Sequence, residues 1–268
     1  MEKVAETESK TEALYWHSCG EGADIVLIHG WGMNGAVWQQ TVTELSKHYR
    51  VHVVDLPGFG HSHQSSFINM DDLAQQVLAS APQHATWIGW SLGGLLATHI
   101  ALNHPLRVTR LITVASSPKF AAERPWRGIQ PNVLSAFTEQ LVEDFQLTIE
   151  RFMALQAMGS PSARQDVKQL KKAVLSRPTP NPDALLAGLK LLADIDYRAE
   201  LGRLTIPVLR LYGRLDGLVP IKVASDVERL IPHSDQYVFS DSSHAPFMTE
   251  LGNFCQQVLL FVSQDTQK

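Results

Sequence analysis

Gly89-Trp90-Ser91-Leu92-Gly93-Gly94 is the stretch on which the reading of this chain turns. Ahead of it, Ala85 to Ile88 reads as the end of a strand. Behind it, Leu92 to His104 is rich in Leu, Ala and Ile and reads as a helix. Ser91 therefore falls on a strand-to-helix corner. A serine on so sharp a turn needs neighbours without bulky side chains, because the backbone there is strained and strand and helix run close together. Gly-x-Ser-x-Gly is the nucleophile-elbow pattern, although five residues alone also suit a plain glycine-rich turn. The flanking chain separates the two readings.

Upstream, Ile25 to Ile28 is a continuous apolar run without polar alternation, as expected of a strand buried on both faces of a parallel sheet. It stops at His29-Gly30-Trp31-Gly32. Asn34 to His48 reads as a helix with Val37, Trp38, Val42 and Leu45 on one face. Val51 to Val54 is the next buried strand, ending in the turn-rich Asp55-Leu56-Pro57-Gly58-Phe59-Gly60. Asp71 to Ala79 is helical, and Ala13 to Ser18 suits an edge strand. Such alternation implies an α/β fold with a doubly wound, mostly parallel sheet.

Downstream, Arg110 to Ala115 supplies a further strand, and the next of comparable character is Pro207 to Tyr212. Between them the chain reads as helices over Pro131–Phe145, Leu147–Met158, Ser162–Leu175 and Asp183–Ala193. Breakers at Gly159-Ser160-Pro161 and Pro178-Thr179-Pro180-Asn181-Pro182 separate the later ones. A helical block that interrupts a βα series is most economically a lid over the carboxyl edge of the sheet. The expected division is a core of 12–117 and 206–268 with a lid of 118–205. The core resumes with Val208–Tyr212, a helix over Ile221–Leu230, a strand over Gln236–Phe239 and a last helix over Leu251–Val262.

A chain of 268 residues with 44% apolar content suits one α/β domain carrying an insertion. A net charge of −4, from 27 acidic and 23 basic residues, argues against a protein built to coat nucleic acid or an anionic membrane. No apolar stretch reaches the roughly 20 residues of a membrane span. Met1 to Thr11 is polar and lacks the apolar core of a secretory signal, so a cytoplasmic protein is expected. Cys19 and Cys255 show no metal-ligand spacing and read as reduced thiols, with a disulfide between them left open.

A serine hydroxyl is a poor nucleophile at neutral pH and needs a base, and the base needs an orienting group. Both must sit beyond the carboxyl ends of strands. His244, in Ser242-Ser243-His244-Ala245-Pro246-Phe247, follows the last strand and can reach the elbow. His29 also ends a strand but suits a role in fixing its own loop. His99 and His104 lie on the helix after Ser91 and point elsewhere, and His52 and the remaining histidines lack a matching partner. For the acid, Asp216 follows the strand Val208–Tyr212 and suits an acceptor for His244 Nδ1. Asp55 is the alternative, although its loop suits a structural turn anchor. The oxyanion formed during attack would meet the backbone N–H groups of Leu92, at a helix start, and Trp31. This chemistry requires no metal or organic cofactor, and no phosphate-binding loop is visible.

The order Ser91, Asp216, His244, with His29-Gly30-Trp31-Gly32 upstream and a helical insertion between, resembles the α/β-hydrolase superfamily over almost the whole chain after residue 13. Within it, the runs from His29 to Asn34, Val53 to Gly60, Trp87 to Gly94 and Leu211 to Pro220 resemble the family of pimeloyl-[acyl-carrier protein] methyl ester esterases of biotin synthesis. Thr113 to Pro118 and Glu150 to Gln156 extend the likeness to the insertion. The resemblance implies a monomeric serine carboxylesterase with a Ser-His-Asp triad, whose partner is an acyl carrier protein bearing a pimeloyl methyl ester. Its substrate contacts would map onto Trp31, Ser91, Leu92, Phe152, Met153, Ala154, Leu155, Gln156 and His244. The aspartate-elbow chemistry of dehalogenases and epoxide hydrolases does not fit Ser91. A broader esterase, lactonase or carbon–carbon hydrolase remains open, as does a non-catalytic binding protein on the same scaffold.

Phe152, Leu155 and Gln156 stand at helical spacing and can offer one mostly apolar face to an acyl chain. From Arg151 to Arg177 there are six basic residues against one acid, Asp166. Arg164, Lys168, Lys171 and Lys172 form one stripe at i, i+4, i+7 and i+8. The stripe suits either steering of an acidic carrier, with Arg151, Arg164 and Lys168 as contacts, or an ordinary solvated face. Leu147 departs from the family pattern, which has a basic residue there.

Overall fold

In the computed structural model, which describes residues 13–264, seven strands form one sheet. Met1–Thr11, the first residue of the expected core range and the final four residues lie outside the described residues. The strands are β1 (Trp16–Cys19), β2 (Asp24–Ile28), β3 (Arg50–Val54), β4 (Ala85–Trp90), β5 (Val108–Val114), β6 (Val208–Gly213) and β7 (Asp235–Phe239). Their order is β1-β3-β2-β4-β5-β6-β7, all parallel except β1, which runs antiparallel to β3 at one edge. The chain leaves β2 for β3 on one side and returns to β4 on the other. The loops after β2 and β4 therefore diverge and open a crevice at the carboxyl edge, where a doubly wound sheet places its ligand.

All six residues of β4 are buried, as an unalternated apolar strand requires, whereas the edge strand β1 is mostly exposed. Helices α1 (Gln39–Leu45) and α10 (Leu251–Ser263) pack together, as do α2 (Met70–Leu78) and α3 (Leu92–Asn103). The helix expected over Asn34–His48 differs from the observed one. It opens as a 3-10 turn over Gly35–Trp38 and is α-helical only over Gln39–Leu45. The Gly35 N–H is held by Asp55 Oδ1 at 2.7 Å, and a Cβ on Gly35 would lie 2.5 Å from Val53, so the chain is pinned to β3 there.

Between β5 and β6 stand α4 (Pro131–Glu143), α5 (Phe145–Ala157), α6 (Ala163–Leu175) and α7 (Pro182–Asp194). Their ends follow capping chemistry. Asp144 accepts from the Leu147 N–H at 3.0 Å and starts α5, and Asn181 accepts from the Asp183 N–H at 2.8 Å ahead of Pro182 at α7. After β6 come α8 (Lys222–Glu228), β7 and a single turn, α9 (Pro246–Thr249), which precedes the helix expected over Leu251–Val262 and was not expected from the sequence. Among the described residues no helix is long and apolar enough to cross a membrane.

Candidate active site

Ser91 occupies the corner between β4 and α3 with φ 55° and ψ −118°, a region costing a non-glycine residue about 1–3 kcal/mol. The surroundings hold it there. Its N–H donates to the Val114 carbonyl at 2.9 Å, and its own carbonyl accepts from the Gly94 N–H at 2.9 Å and from Ser116 Oγ at 2.8 Å. A Cβ on Gly89 would lie 2.1 Å from the Gly93 carbonyl oxygen. One on Gly93 would lie 2.6 Å from the carbonyls of Ile28 and His29. Both elbow glycines are thus required by close approach of backbone to backbone.

His244 lies five residues beyond β7. Its Nδ1 is 2.7 Å from Asp216 Oδ2, with both side chains essentially inaccessible to solvent. The other carboxylate oxygen, Oδ1, accepts from the backbone N–H groups of Leu218 (2.8 Å) and Val219 (3.0 Å), which turns Oδ2 toward the imidazole. With Nδ1 donating to a carboxylate, Nε2 is left as the free basic position. It is buried and has no hydrogen-bond partner among the described residues. Trp90, the residue before Ser91, lies against this imidazole with ring centroids 5.9 Å apart and donates its indole N–H to the His244 carbonyl at 2.7 Å. Phe247 packs between Trp38 (4.2 Å) and Trp90 (5.0 Å) and moors the loop behind.

On the other wall, a Cβ on Gly30 would come 3.2 Å from Ser91 Cβ, so the turn after β2 runs directly against the serine. Among the described residues no hydrogen bond takes up the N–H of Trp31 or of Leu92. His29 is buried, and desolvation holds its pKa down at about 4, so it stays neutral. Its Nε2 accepts from the Leu56 N–H at 3.0 Å, which leaves Nδ1 to donate to the Gly30 carbonyl at 2.8 Å. Asp55, the alternative acid, does not approach His244. It accepts from the N–H groups of Gly35 and His61 and pairs with Arg177.

The site thus brings together a strained serine, a buried imidazole with one ring nitrogen unengaged and two unengaged backbone N–H groups, the parts that acyl transfer needs. The model of the α/β hydrolase fold matches residues 25–251. A pimeloyl-[acyl-carrier protein] methyl ester esterase from Vibrio atlanticus is 67% identical over 257 residues, covering 95% of this chain and 100% of the relative. Another of that name, from Vibrio parahaemolyticus, is 70% identical over 245 residues, covering 91% and 96%. This chain belongs to that esterase family. An esterase from Exiguobacterium antarcticum has the same fold, with TM-score 0.83 at 22% identity over 94% of this chain and 96% of that one.

In this esterase α5 and α7 touch the loops after β2 and β7 directly. Trp31 donates its indole N–H to the Leu185 carbonyl in α7 at 2.8 Å and meets Phe152 of α5 edge-on at 4.8 Å. The Gln156 carbonyl accepts from the His244 N–H at 3.0 Å. The segment from Phe152 to Gln156 is parted by its helix. Phe152, Met153 and Gln156 are buried, while Ala154 and Leu155 line an outer groove with Arg151, Phe137 and Met158. Phe152 and Leu155 therefore do not present one common face.

Arg151, Arg164 and Lys168 are exposed, as are Lys171 and Lys172. Lys171 is occupied by Glu150 at 2.5 Å, and Arg177 turns inward. Asp166, the one acid counted in that stretch, is buried, accepting from Ser160, Ser162 and Thr249, so it does not offset the outer charge. His99 does turn from Ser91, toward Tyr197 and Asp71. His52 corrects the sequence reading: it has a partner, Asp24 Oδ1, at 2.8 Å across β2 and β3. Sequence reasoning also missed Ser116 and Arg177, whose roles rest on contacts that no local pattern signals.

Proposed function

We propose that the esterase hydrolyses the methyl ester of a pimeloyl chain carried on acyl carrier protein, releasing methanol and the free ω-carboxylate. Ser91 Oγ attacks the ester carbonyl while His244 Nε2 takes the hydroxyl proton. Asp216 holds the imidazole tautomer and stabilises the imidazolium. The oxyanion of the tetrahedral intermediate accepts from the Trp31 and Leu92 N–H groups, each worth about 3–4 kcal/mol in such sites. Collapse expels methoxide, which leaves as methanol with the proton from His244. Water, deprotonated by the same Nε2, then attacks the acyl-enzyme and frees Ser91.

The observation that carries this reading is the buried His244, tied to Asp216 through Nδ1 with Nε2 unengaged, beside a strained serine. The choice of substrate is supported by relatives at 67% and 70% identity that bear this activity's name. Residues 118–205 act as the lid. Phe152, Met153 and Gln156 border the acyl path from inside, and Ala154 and Leu155 meet substrate at its mouth. Arg151, Arg164 and Lys168 engage the acidic carrier. The chain works as a monomer in the cytoplasm. Growth of a biotin-requiring strain blocked at this demethylation tests the reading. The wild-type chain should restore growth and Ser91→Ala should not; rescue by Ser91→Ala overturns it.

A further inference from the structure

The geometry points to Arg177 as a positioning residue for the reaction, acting through Asp55 on the loop that offers the Trp31 N–H. This rests on the proposed acyl-transfer chemistry at Ser91. The loop runs from His29 to Gly35, and both its ends hang on the dipeptide Asp55-Leu56. At the front, the Leu56 N–H donates to His29 Nε2 at 3.0 Å, and His29 Nδ1 donates to the carbonyl of Gly30, the residue before Trp31. At the back, Asp55 Oδ1 accepts from the Gly35 N–H at 2.7 Å while Oδ2 accepts from the His61 N–H at 2.8 Å.

Asp55 is fully buried, and its counter-charge comes from 122 positions along the chain. Arg177 Nη1 donates to Oδ1 at 2.5 Å from just past the end of α6, with its side chain 13% exposed and its guanidinium 5.1 Å from the Tyr15 ring centroid. A second tie runs alongside it: Asn34 Nδ2 donates to the carbonyls of Ala173 and Val174, both at 3.3 Å. The end of α6 is thus built into the floor of the oxyanion loop. Removing the guanidinium leaves a buried carboxylate with two backbone donors and no cation, a strongly unfavourable state. The relief available to it is movement of Asp55, which carries Gly35 and Leu56 along. A shift of about 1 Å in an oxyanion donor is felt in the transition state far more than in substrate binding.

Arg177→Met tests this by hydrolysis of p-nitrophenyl acetate, with rates expressed per mole of Ser91 labelled at end point by a fluorophosphonate so that unfolded molecules drop out. The kcat should fall by about ten- to a hundredfold with KM changed less than about twofold. The inhibition constant of a trifluoromethyl ketone, whose hemiketal oxyanion sits in the same place, should rise in parallel. Arg177→Lys, which keeps the cation, should recover much of the loss. Millimolar guanidinium added to Arg177→Ala should restore kcat in part and leave wild type unchanged. An unchanged kcat, a loss confined to KM, or an unshifted trifluoromethyl ketone constant overturns the inference. Ser91→Ala, run beside these variants, separates the outcomes: if it retains turnover the proposed chemistry fails, and if only the Arg177 variants are inert to the test the positioning role alone fails.

Discussion

Helices α3 and α6 have almost the same length, 12 and 13 residues, and opposite circumstances. In α3 every position from Leu92 to Leu102 is buried, the polar Thr98 and His99 included. In α6 only Asp166, Leu170 and Val174 are buried, while Arg164, Lys168, Lys171 and Lys172 face solvent. The first helix starts right after Ser91 and is gripped by sheet and insertion together. The second shows one face to the core and keeps the other for whatever approaches. The two helices thus differ in how much of their surface is left free to meet another molecule.

That contrast can be broken most severely at the head of α3. Ser91→Ala should lower kcat on any ester by about 10⁴-fold or more while leaving substrate binding, measured by titration with the carrier-bound ester, within a few-fold. Leu96→Ala, in the middle of α3, should cost about 2–5 kcal/mol in urea unfolding, whereas Lys168→Ala on α6 should stay within about 0.5 kcal/mol. Equal costs would erase the distinction between the two helices.

Acid should distinguish the buried loop from the exposed face as well. His29 has its folded-state pKa lowered by burial from 6.5 to about 4. Neutral His29 therefore supports the fold fully above pH 6.5. That support is lost as the pH falls from 6.5 through about 4, where the unfolded chain takes up a proton that the folded chain refuses. The loss is on the order of 3 kcal/mol, and it should appear as a stability slope over that window that flattens in His29→Asn. The smallest effect belongs to α6. Reversing Arg164 and Lys168 to Glu should reduce kcat/KM for the carrier-bound substrate by roughly tenfold and weaken its salt dependence, with p-nitrophenyl acetate unaffected.

Much of this was legible from residue order. The nucleophile elbow could be read because its glycines answer a local steric demand, and His244 and Asp216 because each follows a strand that must end at the same sheet edge. The structural role of Asp55 was readable from its turn-rich loop. The 3-10 opening before α1 was not, because it depends on Asp55 capturing Gly35 from 20 residues away. Nor was the parting of Phe152 from Leu155, since spacing says which residues share a helix face but not which neighbour that face meets. The single turn α9 was not readable either, because four residues are too few to show a helical period.

What the residues alone determined is the alternation of strands and helices, the strained corner at Ser91 and the candidates able to serve it, because periodicity, turn chemistry and the glycine requirement act within a few positions. Only the folded chain decided that Nδ1 of His244 faces Asp216, that α5 lends its Gln156 carbonyl to the His244 loop, and that Arg177 reaches Asp55 across 122 positions. Those pairings join surfaces distant in sequence. They are chosen by the cost of leaving a buried charge or donor unmatched, a cost that exists only once the layers have closed.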